Sequence, residues 1–103
     1  GWGANQRTLT TDPDTFTGTP NNDVINGTNL TYNAGDLLID TTFTDNDVLN
    51  LKTTANIVAT PTVAGFENVN VAVEKVGLFT FDALNITGAK NFTVNRGDLL
   101  DGS

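Results

Sequence analysis

The sequence contains no cysteine and no histidine among its 103 residues. These absences exclude disulfides, zinc fingers, iron–sulfur ligation, thiol nucleophiles and acid–base chemistry by histidine. Basic residues are also few, because five Lys and Arg stand against twelve Asp and Glu, for a net charge of -7. An acidic chain of this kind repels phosphate backbones, so we expect no nucleic-acid partner.

Long apolar runs and good helix formers are scarce as well. No run is long enough to cross a bilayer as a helix, so we expect no membrane insertion. Glu, Gln and Lys are rare, whereas Thr, Asn and short bursts of Val, Ile, Leu and Phe are common. This composition predicts an all-β protein. Pairs of carboxylates are the only catalytic candidates and no base accompanies them, so we predict that the protein is not an enzyme.

A recurring pattern is the main positive feature of the sequence. Residues 22–26 (NDVIN) are echoed 24 residues later by residues 46–50 (NDVLN). The same alternation of polar and apolar residues returns at 67–71 and at 90–95. Short alternating strands at a steady spacing are typical of a β-solenoid, in which each coil buries one face. We therefore predict a parallel β-solenoid with coils of about 20–24 residues.

The alternation places about eight short strands along the chain. They are predicted at residues 15–17, 24–26, 37–39, 48–51, 56–59, 69–73, 78–81 and 92–94. A β-sandwich also has short strands at such intervals and remains the alternative fold. Residues 1–13 are predicted to form an N-terminal arm or lead-in strand. Residues 14–103 are predicted to form the solenoid domain, which can be a slice of a longer repetitive protein.

Aspartate makes up most of the acidic residues and lies beside Gly and Asn in turn-like stretches. Short carboxylates in such turns either bind divalent cations or accept backbone hydrogen bonds that close the turn. Composition leaves both roles open.

Residues 14–27 (DTFTGTPNNDVING) resemble the opening of repeat blocks in RTX-like and surface-layer proteins of bacteria. Residues 34–40, 47–51 and 65–71 then follow in the order familiar from such proteins. The resemblance implies a right-handed parallel β-roll or β-solenoid that is exported unfolded and folds outside the cell when calcium binds.

The resemblance also implies which residues bind calcium. The nonapeptide consensus G-G-x-G-x-D-x-U-x can be laid on residues 18–26, with Asp23 as calcium ligand and Ile25 in the core. A second copy at residues 42–50 keeps Asp47 as ligand but has no glycine. Because glycines are missing, we expect about one to three calcium sites and not a dense row. The other candidate ligands are Asp36, Asp40, Asp45, Asp98 and Asp101.

These features together give an expected function. The chain is predicted to be a secreted, extracellular or cell-surface protein, and a structural component of a surface layer (S-layer) or extracellular filament ordered by calcium. Its expected partners are copies of itself. The alternative is a monomeric adhesin or decoration module that binds cell-surface glycan or another surface.

Overall fold

The computed structural model describes residues 4–17, 22–40 and 46–96. These residues form nine β-strands and no helix. No helix in this part of the chain is long and apolar enough to cross a membrane. The strands are β1 (Ala4–Thr8), β2 (Thr15–Thr17), β3 (Asn22–Thr28), β4 (Leu37–Ile39), β5 (Val48–Thr53), β6 (Thr62–Ala64), β7 (Asn68–Val73), β8 (Ile86–Thr87) and β9 (Asn91–Asn95).

The strands alternate between two parallel sheets. Odd-numbered strands form a five-stranded sheet in the order β1-β3-β5-β7-β9, and even-numbered strands form a four-stranded sheet in the order β2-β4-β6-β8. Every pairing between these strands is parallel and joins one coil to the next. This is a parallel β-solenoid, as predicted. The alternative sandwich was wrong, because it requires antiparallel neighbours within each sheet.

The sequence echoes correspond to the register of the five-stranded sheet. Ile25 pairs with Leu49, Leu49 pairs with Val69, and Val69 pairs with Phe92. From β3 to β9, equivalent positions in successive coils are 24, 20 and 23 residues apart, within the predicted coil length. The step from β1 to β3 is shorter than predicted, because Ala4 pairs with Asn22. Coils of unequal length still stack, because turns outside the strands absorb the extra residues.

Alternation within each strand builds the core. In β7 (NVNVAV), Val69, Val71 and Val73 are buried and point inward as predicted, while Asn70 and Ala72 face solvent. The inward side chains of successive coils stack into rows that extend along the solenoid. The buried hydrophobic residues are Leu9, Phe16, Ile25, Tyr32, Leu38, Leu49, Leu51, Ile57, Val63, Phe66, Val69, Val71 and Val73.

Some strands differ from the prediction. Residues 56–59 and 78–81 do not form strands but meet through an isolated parallel bridge between Ile57 and Phe81. Phe79 and Phe81 are partly buried against the core. Sequence analysis missed β6 and β8, which have three and two residues. The first strand lies at Ala4–Thr8 and pairs with β3.

The single tyrosine lies at the corner between β3 and β4. Tyr32 is 2% exposed, and its ring centroid is 6.1 Å from that of Phe81. Its hydroxyl has no hydrogen-bond partner among the described residues. Burial raises the pKa of Tyr32 far above its usual value, and the nearby carboxylates of Asp36 and Asp82 raise it further. The phenol therefore stays neutral in the folded protein.

Alkaline titration tests this burial. The unfolded chain ionises Tyr32 near pH 10, whereas the folded chain keeps the proton. The effect of Tyr32 on the free energy of unfolding is therefore fully favourable below pH 10. Above pH 10 this free energy decreases, because only the unfolded chain gives up the proton. We expect phenolate absorbance to appear only together with loss of β circular dichroism. A gradual phenolate signal centred near pH 10, with the β spectrum intact, would contradict the buried hydroxyl.

Candidate metal centre

Three acidic residues stack inside the solenoid, one on each of three successive coils. Register places Asp23 over Asp47 and Asp47 over Glu67, at the positions where β3, β5 and β7 begin. Their exposed fractions are 0%, 0% and 5%. We call Asp23, Asp47 and Glu67 the acidic ladder. The solenoid thus carries acid in its interior, where charged groups are normally costly.

Backbone amides stabilise part of this ladder. The amide of Asp23 donates to Oδ1 of Asp47 at 2.7 Å, and the amide of Asp47 donates to Oε1 of Glu67 at 2.8 Å. The carboxylates of Asp47 and Glu67 therefore each accept a hydrogen bond from the coil before them. Such bonds fix the direction of the side chain.

A third aspartate reaches this region from the other sheet. Asp40 directly follows β4, is 2% exposed, and its amide donates to the carbonyl of Ala64 at 2.8 Å. In the next two coils, the positions equivalent to Asp40 are occupied by Gly65 and Gly88. This follows from the register of the four-stranded sheet, in which Ile39 pairs with Ala64 and Ala64 pairs with Thr87. Asp40 is thus an acid in a column that otherwise continues with glycine.

Asp23, Asp40 and Asp47 form the Asp centre. One carboxylate oxygen of each lies within 4.8 Å of the others, and all three residues are buried. At this separation two full charges repel by roughly 3 kcal/mol with an effective dielectric constant near 20. Three ionised carboxylates at this separation would therefore repel one another.

This geometry suits a positive ion. Three inward oxygens from rigid strand ends form a group that could hold a metal ion, and the ion's charge would convert repulsion into attraction. Carboxylate oxygens are hard ligands, which favour hard cations.

Gly65 positions Asp40. Its φ is 82°, a left-handed conformation that glycine adopts without strain. A side-chain carbon added at Gly65 would overlap the backbone carbonyl oxygen of Asp40. The close approach of these two backbones therefore depends on the absence of a side chain.

Asp36 lies apart from the Asp centre and closes a turn. Its Oδ1 accepts the amide of Asp14 at 2.8 Å, and its Oδ2 accepts the amide of Asn33 at 2.9 Å. The bond to Asp14 crosses from one coil to the next. Of the two roles open to aspartate in this sequence, Asp36 performs the turn-closing one.

Three other candidates, Asp45, Asp98 and Asp101, lie outside the described residues. Glu67 was not among the candidates. Aligning residues 67–71 with 47–51 would have revealed it, because Glu67 then falls on Asp47.

Comparisons with protein-family models, with curated proteins and with solved structures found no match.

Replacing Gly65 tests the packing that supports the Asp centre. Gly77 is a matched control, because its φ is 86° but the nearest atom to an added carbon is the flexible Lys75 Nζ at 4.0 Å. Gly77→Ala should lower the free energy of unfolding by about 1–2 kcal/mol from backbone strain alone. Gly65→Ala should lose several kcal/mol, because it adds a clash with backbone. Equal losses in urea denaturation would show that Gly65 does not pack on Asp40 as described.

Proposed function

We propose that the chain is a calcium-ordered structural solenoid of a secreted bacterial assembly, either a surface layer or an extracellular filament. The Asp centre is the observation that carries this proposal. Its carboxylates come from the beginning of one coil (Asp23), the end of the same coil (Asp40) and the beginning of the next (Asp47). An ion held there fastens one coil to the next, which is a structural and not a catalytic task.

The ligand chemistry favours calcium among the metal ions. The chain has no histidine or cysteine, the ligands preferred by zinc and copper, and the Asp centre offers carboxylate oxygen. Calcium accepts six to eight oxygens in irregular geometry, whereas magnesium requires a near-ideal octahedron and retains several waters. A buried site with side chains fixed by strand ends is therefore better matched to calcium.

Calcium dependence also links folding to location. Without an ion, mutual repulsion between Asp23, Asp40 and Asp47 opposes closure of the coil. With calcium, the same carboxylates stabilise the closed coil by the free energy of ion binding. Calcium is scarce in the cytoplasm and plentiful outside, so a chain of this kind folds after export.

A groove on the outer face supports the second candidate function, a module that binds glycan or another surface. It lies on the five-stranded sheet between a row of Asn26, Asn50 and Asn70 and a row that includes Thr28 and Lys52, with a volume of about 530 Å³. Carboxamides can bind sugar hydroxyls. Its described lining residues include no aromatic ring for stacking on a sugar, so we favour the structural function.

Calcium titration of wild-type protein and of Asp40→Asn tests the proposal. At free calcium a hundredfold above the dissociation constant, wild-type stability should rise by about 2.7 kcal/mol over its value in chelator. Asp40→Asn should lose this response because it removes one ligand charge. In chelator the variant should be more stable than the wild type, because two repulsive pairs are relieved. Thermal or urea unfolding measures both effects.

Asp12→Asn is the matched control, because Asp12 is exposed and lies outside the Asp centre. It should respond to calcium like the wild type. Wild-type protein whose stability is the same in calcium and in chelator would overturn the proposal, and a response to magnesium alone would reject calcium as the ion.

A further inference from the structure

Glu67 belongs to the acidic ladder but not to the Asp centre. Its register position is that of Asp47 one coil further on, yet its carboxylate is not part of the group whose oxygens lie within 4.8 Å of one another. Glu67 is 5% exposed. Burying a carboxylate is costly unless it is hydrogen-bonded, so the contacts that Glu67 makes indicate what it does.

The register explains why Glu67 is not grouped with a third carboxylate. The pair formed by Asp47 and Glu67 repeats the pair formed by Asp23 and Asp47 one coil further on. The position of Asp40 is taken in that coil by Gly65, which has no side chain. This part of the solenoid therefore offers two carboxylates where the Asp centre offers three.

Glu67 holds the backbone of Asp47. Its Oε1 accepts the amide of Asp47 at 2.8 Å, and the amide of the following residue, Asn68, donates to the carbonyl oxygen of Asp47 at 3.0 Å. Two consecutive residues of the next coil thus bond both backbone polar groups of Asp47. Because Asp47 directly precedes β5, these bonds set the direction in which its side chain leaves the backbone.

The backbone of Glu67 is itself held in place. Its carbonyl oxygen accepts the amides of Lys90 at 2.8 Å and Asn91 at 2.9 Å. The preceding residue, Phe66, is fully buried, and its ring centroid is 6.1 Å from that of Phe16. Hydrogen bonds from the following coil and packing in the core therefore fix the backbone from which the Glu67 carboxylate extends.

We propose that Glu67 is a positioning residue of the Asp centre, which holds Asp47 in the orientation that binds the ion and does not bind the ion itself. This inference rests on the proposed calcium site and deepens it, because it names a residue outside the ligand set that controls affinity for the ion. Removing a group that orients a metal ligand commonly weakens metal binding about 10–100-fold. The Asp47 amide requires an acceptor oxygen from residue 67 and not a negative charge.

Variants of Glu67 test the inference through the calcium dissociation constant, obtained from urea unfolding at increasing free calcium. Glu67→Met removes the acceptor oxygen and keeps the length of the side chain, so calcium should bind about 10–100-fold more weakly. Glu67→Gln keeps an acceptor oxygen without the charge, so its dissociation constant should stay within about threefold of the wild-type value.

Asp36→Leu is the matched control. The carboxylate of Asp36 also accepts an amide from the preceding coil, at 2.8 Å, but lies outside the Asp centre. This variant should lose stability equally in calcium and in chelator, and should keep the wild-type dissociation constant.

Glu67→Asp keeps the test decisive if Glu67→Met does not fold. It retains the charge but draws the carboxylate back by about 1.5 Å, the length of one carbon–carbon bond, so the hydrogen bond to Asp47 is lost. Calcium should then bind at least about tenfold more weakly to Glu67→Asp than to Glu67→Gln.

The other roles for Glu67 predict different results. If Glu67 were a ligand or supplied charge, Glu67→Gln would bind calcium the more weakly of these two variants. If its hydrogen bond served stability alone, both would keep the wild-type dissociation constant. Either result would overturn the inference while leaving the calcium site in place. Wild-type protein that does not respond to calcium would instead refute the proposed function, and the inference with it.

Discussion

Parallel, in-register pairing of successive coils is the constraint on which the rest of the structure depends. A residue at one position of a coil lies over its equivalent in the next, so each position becomes a column along the solenoid. Apolar columns make the core. On the outer face Asn26, Asn50 and Asn70 form a hydrogen-bonded ladder, with amide-to-carbonyl distances of 3.3 and 3.0 Å. Each column strengthens the register that creates it.

The same register creates the conflict at the Asp centre. It stacks Asp23 on Asp47, and the corner after β4 adds Asp40, so like charges meet where water is excluded. Backbone amides satisfy part of the charge but cannot remove the repulsion between carboxylates. In the proposed account calcium resolves this conflict. In that account, stability of the coil and occupancy of the site are one equilibrium, so the free calcium concentration controls when the coil folds.

Sequence analysis could predict the solenoid because the echo between residues 22–26 and 46–50 is itself the strand register. It also predicted Asp23, Asp47 and Asp40 as candidate ligands. It could not predict that Asp40 joins the other two while Asp36 does not, because the two residues flank the same short strand, β4, and contacts between coils decide where each carboxylate lies. The exposure of Phe92 could not be predicted either. Alternation predicts which side chains point inward, but not whether another coil packs over them.

The most direct test of the account is the position of anomalous scattering from calcium in crystals of the protein. The account predicts one peak at the Asp centre, about 2.3–2.6 Å from oxygens of Asp23, Asp40 and Asp47. Crystals grown in saturating calcium that show no peak there, with the three carboxylates buried as described, would contradict it.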